Sequence, residues 1–356
     1  MTDTPAIARI DAEHPWPWLD AFPEYAATFF NGRDEDSAAL LRCVFAAPVT
    51  VLFGKSGLGK SSLLQAGLFP RLRKERLLPV YVRLNHGDHA AGVSEQITRQ
   101  FHAQLKASLP QAYAGLTQHM QNTASESLWM QLHHTEFELR DDAGRRWTPV
   151  FVLDQFEEIF TLGAADLERQ QQLFYELGDL MENRIPRVLA ERLHDDTDGS
   201  LYEQLNLDTQ HYRFLLSLRE DYLPDLAEWT DRIPRLGANR YRLLPMIDAQ
   251  AVDAVIKTGG KLVTPSDAQN IVHYLTHTQT DSKSVPIMQT HQRRQRARVE
   301  PVLLSLICSG LNAERLADKK PRLNTDNLVK EGSLIVERFY DTEFTGLPES
   351  VRDFIE

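Results

Sequence analysis

Val49-Thr50-Val51-Leu52-Phe53, running directly into Gly54-Lys55-Ser56-Gly57-Leu58-Gly59-Lys60-Ser61, decides how the rest of the chain is read. An apolar, β-branched run with no turn former suits a short buried strand. The glycines that follow let the backbone curl around a ligand without Cβ clashes. Ser61 to Leu68 predicts a helix leaving the loop, with Pro70 marking its end or a kink. The amino terminus of that helix points at the loop, so unpaired N–H groups and the helix dipole converge on anionic oxygens. A G-x-x-x-x-G-K-S pattern in this strand, loop and helix setting reads as a phosphate cradle lined by Gly54, Lys55, Ser56, Gly57, Leu58, Gly59, Lys60, Ser61 and Ser62. Lys60 is expected to reach the β and γ phosphates of ATP or GTP, and Ser61 to give its hydroxyl to Mg²⁺. The rival reading, a glycine-rich turn with a solvated lysine, does not account for the strand and helix on either side. No guanine-selective N-K-x-D motif occurs in the chain, which favours ATP and leaves GTP open.

Hydrolysis needs a metal-side carboxylate and a group to activate water, and Phe151-Val152-Leu153-Asp154-Gln155-Phe156-Glu157-Glu158 offers both. Asp154 closes an apolar strand, Thr148 to Leu153, where a Mg²⁺ contact belongs. Either Glu157 or Glu158 can orient or deprotonate the attacking water. Glu157 is favoured because a residue just past the strand end still faces the γ phosphate. An acidic cluster opening a helix also serves the helix dipole, so a structural role stays open. Arg213 to Leu218 is a further strand ending in Arg219-Glu220-Asp221, which puts a guanidinium at the carboxyl end of a sheet, where open α/β folds bind ligands. Arg219 either senses the γ phosphate or pairs with a neighbouring acid such as Glu157 or Asp221.

Around these segments the chain alternates strands and helices. Asp34 to Phe45 is helical in pattern, Pro79 to Leu84 is a strand, residues 93 to 107 form a helix, and Tyr241 to Leu244 is a last strand. Residues 111 to 146 carry no clear period. Leu173, Phe174, Leu177, Leu180 and Met181 form one apolar helical stripe. The fold class expected is α/β, a parallel sheet sandwiched by helices, followed by an all-α lid domain. In the lid, Asp248 is expected to cap a helix through Thr258 that stops at Gly259-Gly260, with further helices over 265 to 277, 300 to 317 and 325 to 340. The boundaries expected are 1–30 for an aromatic, proline-punctuated arm, 31–246 for the core, 247–320 for the lid, and 321–356 for a further region cut off midway.

Composition narrows the function classes. A chain of 356 residues with 42% hydrophobic and 25% charged residues has room for two or three globular cores. No run reaches the roughly 18 apolar residues of a membrane span, and the first residues carry no basic and apolar leader, so a cytoplasmic protein is expected. Cys43 and Cys308 read as buried thiols. The histidines show no ligand spacing for zinc. A formal net charge of −11 argues against general phosphate-backbone binding. His291-Gln292-Arg293-Arg294-Gln295-Arg296-Ala297-Arg298 is the one basic run, either a solvated face or a contact for nucleic acid, nucleotide phosphate or an acidic partner.

Taken in order, these motifs resemble the STAND class of signalling P-loop NTPases, in the bacterial branch with a D-Q-F-E-E Walker B. Phe29-Phe30-Asn31-Gly32-Arg33-Asp34-Glu35 resembles that branch's F-G-R-x-x-E box with Asn31 inserted, which implies nucleotide contacts for Gly32 and Arg33. Gly54 to Ser62 resembles its Walker A, Val152 to Phe160 its Walker B, Leu216 to Tyr222 its sensor-one strand, and Leu243-Leu244-Pro245-Met246 its strand before the lid. Glu300-Pro301-Val302-Leu303-Leu304 resembles its lid motif, which implies that Pro301 lies by the nucleotide. The resemblance implies a P-loop strand and a Walker B strand separated by the Arg219 strand, and the start of a winged helix at the carboxyl end. It also implies a switch: ADP holds a closed form, ATP with Mg²⁺ permits opening and homo-oligomerisation after an unknown trigger binds, and a sensor or effector lies beyond residue 356 or on another chain. Two alternatives stay open, an AAA+ type nucleic-acid-remodelling ATPase using the basic run, and a scaffold that holds nucleotide without hydrolysing it.

Overall fold

The computed structural model of the chain describes residues 9–85, 92–122, 127–161, 167–278, 298–326, 328 and 332–337. Residues 291 to 297 of the basic run, and the region from 338 on where the winged helix is expected, lie outside the described residues. The chain divides into two compact units, one of Asp36–Lys55 and Leu68–Leu243, the other of Met1–Glu35, Ser56–Gly67 and Leu244–Glu356.

The first unit is built on a sheet of β1 (Val49–Gly54), β2 (Leu77–Arg83), β3 (Leu139–Arg140), β4 (Arg146–Asp154), β5 (Arg213–Arg219) and β6 (Arg240–Arg242). The order is β2-β4-β5-β1-β6, all parallel, with β3 antiparallel on β4. β5 therefore lies between β1 and β4, as the resemblance implies. Val150 to Asp154 and Phe214 to Leu218 are buried without alternation, the pattern of strands covered on both faces. Register sets the functional edge: Gly54 pairs with Arg219, Leu153 with Leu216, and Asp154 with Arg83. Parallel strands bring their carboxyl ends to one edge, so Arg83, Asp154, Arg219 and Gly54 lie along it.

The helices of this unit cover the sheet with their apolar stripes. Val93–Ser108 packs against β2 through Ile97, Phe101 and Leu105, four residues apart and all buried. Leu173, Phe174, Leu177, Leu180 and Met181 of Leu167–Met181 are buried as the stripe predicts, with Phe174 stacked on Trp229 at 4.0 Å. The unclear stretch holds Pro110–Asn122 and Leu128–His133. Leu128–His133 is buried on every side, so it has no exposed face to give a helical period.

The helix after the glycine loop differs from expectation. It begins at Lys60, opens into a π-helical turn over Leu63–Leu68, and continues through Pro70 to Lys74. An opened turn is one of the places where a helix tolerates the missing N–H of a proline, so Pro70 does not end it.

The second unit is helical, with Asp248–Gly259, Pro265–Thr278 and Pro301–Ala317 around a core that includes Val255, Ile271, Ile307 and Leu311. A short antiparallel pair, β7 (Met246–Ile247) and β8 (Arg298–Val299), closes one side. Asp248 is the first helical residue rather than the cap: Ile247 holds the cap position and its N–H donates to Gln250 Oε1 at 3.1 Å. The carboxylate of Asp248 still suits the positive end of the helix dipole. Trp16 joins this core. Ser309, Asn312 and Arg315, three residues apart along Pro301–Ala317, tie the arm down. Ser309 Oγ accepts the Trp18 N–H at 3.2 Å, Asn312 donates to the Glu13 carbonyl at 2.8 Å, and Arg315 pairs with the Glu13 carboxylate at 2.9 Å. Cys308 is buried and Cys43 half-buried, both as free thiols. Among the described residues no helix is long and apolar enough to cross a membrane.

Candidate nucleotide site

The glycine loop has the backbone that its composition predicts. Gly57 and Gly59 take φ of +74° and +79°, left-handed values at which a side chain is strained. Left-handed turns of this kind are a backbone feature of anion-binding nests. Lys55 and Ser56 are exposed, Lys60 and Ser61 are half-buried, and Leu58 is buried. Ser62 is buried too, and its Oγ accepts the Phe22 N–H at 3.1 Å. Its hydroxyl thus fastens the arm to the loop helix.

Gly32, Arg33 and Pro301 are drawn to the same unit as Ser56–Gly67. Arg33 is 3% exposed and its Nη2 donates to the Leu58 carbonyl at 3.4 Å, so the expected nucleotide-contacting arginine props the loop backbone. Gly32, at φ +80°, lies against the Asp248–Gly259 helix: a Cβ there would meet the Gln250 carbonyl and sit 2.9 Å from Ala254 Cβ. Asn31 donates to Thr258 Oγ1 at 3.3 Å, and the Thr258 hydroxyl donates to the Phe29 carbonyl at 2.7 Å. Pro301 opens the Pro301–Ala317 helix, and the next N–H, of Val302, donates to the Gly57 carbonyl at 3.2 Å. Val302 also crowds the loop, since a Cβ on Gly57 would lie 2.9 Å from its Cγ1.

The carboxylates stand at the sheet edge of the other unit. Asp154 is 2% exposed and its Oδ2 accepts the Tyr81 hydroxyl at 2.9 Å. The chain reverses at Gln155, φ +54°, and the Phe156 N–H then donates to the Ser217 carbonyl at 2.8 Å, hooking the turn onto β5. That hook brings Glu157 Oε2 to the Arg219 N–H at 3.3 Å. Glu158 is turned the other way, paired with Arg83 at 2.7 Å. The Arg219 guanidinium lies on Asp221 at 2.9 Å and over the Tyr222 ring at 5.8 Å. Of its two sequence alternatives, the ion pair with Asp221 is formed here, while Glu157 meets its main chain. No sequence motif marks Tyr81 or Arg83. Their one signal was a polar or half-polar residue at every second position closing an apolar strand.

Taken unit by unit, the amides, ammonium and serine hydroxyls of the glycine loop suit the phosphates of a nucleotide, and the buried Asp154 carboxylate suits a hard divalent cation. A five-stranded parallel order with a strand inserted between the glycine-loop strand and the carboxylate strand, together with these motifs, defines a P-loop NTPase. The family model for novel STAND NTPase 1, nSTAND1, matches residues 15–331. The chain belongs to the novel STAND NTPase 1 family. No curated protein matches it. Among solved structures it is similar to the Aeropyrum pernix ORC2 protein in ADPNP–ADP complexes, at 14% identity over 85% of this chain and 67% of that one, TM-score 0.47. It is also similar to CDC6P from Pyrobaculum aerophilum, at 12% identity over 96% of this chain and 76% of that one, TM-score 0.46. A Walker-type ATPase of Pyrococcus abyssi matches at 14% identity over 88% of this chain and 76% of that one, TM-score 0.47.

Proposed function

We propose that this NTPase binds ATP, hydrolyses it slowly with Mg²⁺, and uses the difference between ATP and ADP as a conformational and oligomerisation switch. The observation that carries this reading is the hydrogen bond from the Val302 N–H to the Gly57 carbonyl. The loop that would hold the phosphates and the first turn of a lid helix share a backbone contact. A γ phosphate that reshapes the loop therefore acts on that helix, and it shifts the balance by its differential affinity for the two arrangements.

In this reading Lys60 neutralises the β and γ phosphates, and Ser61 and Asp154 hold Mg²⁺, which supplies Lewis-acid neutralisation of the phosphate oxygens when bound. Glu157 orients the attacking water, a role supported by the engagement of Glu158 with Arg83. The Arg219–Asp221 pair is solvent-exposed on both sides, so its hold is weak enough to yield to a phosphate. Gly32, Arg33 and Pro301 shape the rest of the nucleotide pocket, with Arg33 acting through Leu58. Family analogy supplies the setting, defence or conflict signalling in the bacterial cytoplasm.

The test is the nucleotide carried through purification, read together with the particle mass. ADP in a monomer, with a larger assembly on exchange into ATP and Mg²⁺, is the expected result. Lys60→Ala, which removes the phosphate counter-charge, is expected to carry no nucleotide and to stay monomeric. A protein that retains ATP without turnover or change of mass overturns the switch in favour of a nucleotide-bound scaffold.

A further inference from the structure

Strand β2 carries none of the motifs that mark this site, yet its last residues reach the acidic turn of β4. In register, Tyr81 lies opposite Val152 and Arg83 opposite Asp154. Residues two apart on a strand share a face, and Val80 and Val82 on the opposite face are fully buried. The Tyr81 hydroxyl reaches diagonally to Asp154, donating to its Oδ2 at 2.9 Å. The ring lies edge-on to Phe69, centroids 5.9 Å apart at 67°. Asp154 is all but buried, and a buried carboxylate takes its orientation from the donors around it.

We infer that Tyr81 is a positioning residue for the metal-side carboxylate, fixing the rotamer of Asp154 so that Mg²⁺ meets a pre-oriented oxygen. This rests on the reading of Asp154 as the Mg²⁺ carboxylate. Hydrogen-bond partners of a ligating carboxylate raise metal affinity by holding it in one orientation, and their loss costs about 10–100-fold. Arg83, the direct ladder partner of Asp154, is occupied by Glu158 and does not replace the hydroxyl.

The experiment follows the binding of a fluorescent ATP analogue to the whole chain as MgCl₂ is titrated, with no turnover measured. Tyr81→Phe keeps the ring and removes only the donor, and it is expected to raise the Mg²⁺ concentration for half-maximal enhancement about 10-fold. Binding of the analogue in EDTA should not change. Phe69→Leu, which disturbs the packing of the ring and spares the hydroxyl, is expected to leave the Mg²⁺ dependence near that of the wild type. Asp154→Asn should lose the enhancement. If Asp154→Asn is defective while Tyr81→Phe titrates as wild type, the positioning role is overturned and the metal reading stands. If Phe69→Leu shifts as far as Tyr81→Phe, the effect is packing and the role of the hydroxyl is overturned. If Asp154→Asn keeps full enhancement, the metal reading is itself overturned and the role of Tyr81 goes with it.

Discussion

The two glutamates after Asp154 look interchangeable in a linear chain, and their surroundings separate them. Glu158 is committed to Arg83, whereas Glu157 meets a main-chain N–H at Arg219. Glu157→Gln keeps the size and the hydrogen-bonding capacity of the side chain but loses its basicity, so it is expected to bind ATP and retain it unhydrolysed in single-turnover chromatography. Turnover at the wild-type rate would move the role to Glu158. Gly32 makes a different demand. Gly32→Ala puts a Cβ into the Asp248–Gly259 backbone at a left-handed φ, and strain of about 1–3 kcal/mol is expected for the backbone alone. A denaturant midpoint unchanged from wild type would remove the argument for that close approach. Gly57 and Gly59 are legible in the sequence because their left-handed conformation is local to a turn. Tyr81 and Arg83 are not, because they act across a ladder that pairs residues about seventy positions apart.

Among the elements, Leu128–His133 carries a consequence for pH. His133 stacks on Trp129 at 3.7 Å and meets the edge of Tyr212 at 5.4 Å, and burial holds its imidazole below the ordinary value of 6.5 despite hydrogen bonds to Asn183 and the Trp129 carbonyl. Burial lowers His102 and His211 as well, the latter with the help of Arg146. A depressed folded-state value means that the unfolded chain binds more protons between the two values. Stability is therefore fully present above about pH 6.5 and is lost as pH falls through the folded values. The thermal midpoint is expected to drop on acidification from neutral pH to about pH 5, and His133→Phe should flatten part of that slope. A wild-type midpoint that holds steady over the range would show that these rings do not control it. The helix itself was hidden from periodicity because a wholly buried segment has no polar face to mark the turn.

At the scale of the whole molecule, sequence distance and structural grouping part company. Ser56–Gly67 is grouped with the helical region and the arm, although β1 and the carboxylate strands belong to the sheet unit. In the switch reading, a phosphate-driven change enters the helical unit at this loop, through Gly57 and Val302. The basic run from Arg293 to Arg298 gives the competing remodeller reading its own test. In the switch reading, added duplex DNA leaves ATP turnover unchanged, and replacing Arg293, Arg294, Arg296 and Arg298 by Ala has no effect on that result. DNA-stimulated turnover that vanishes in the replaced chain, and weakens steeply with salt as phosphate contacts do, would favour the remodeller.

The sequence by itself determined the phosphate loop, the buried strands, the apolar stripe of Leu167–Met181 and the family. Each of these is written in neighbouring residues, as a run, a period or a fixed spacing, and needs no partner from elsewhere in the chain. Only the tertiary structure decided that Arg33 supports Leu58 from behind, that Ser62 holds the arm, that Arg219 pairs with Asp221, and that β2 reaches the acidic turn. The physical reason is that a hydrogen bond or an ion pair is set by distance and direction in space. Register and strand order supply both, and no local pattern of residues encodes them.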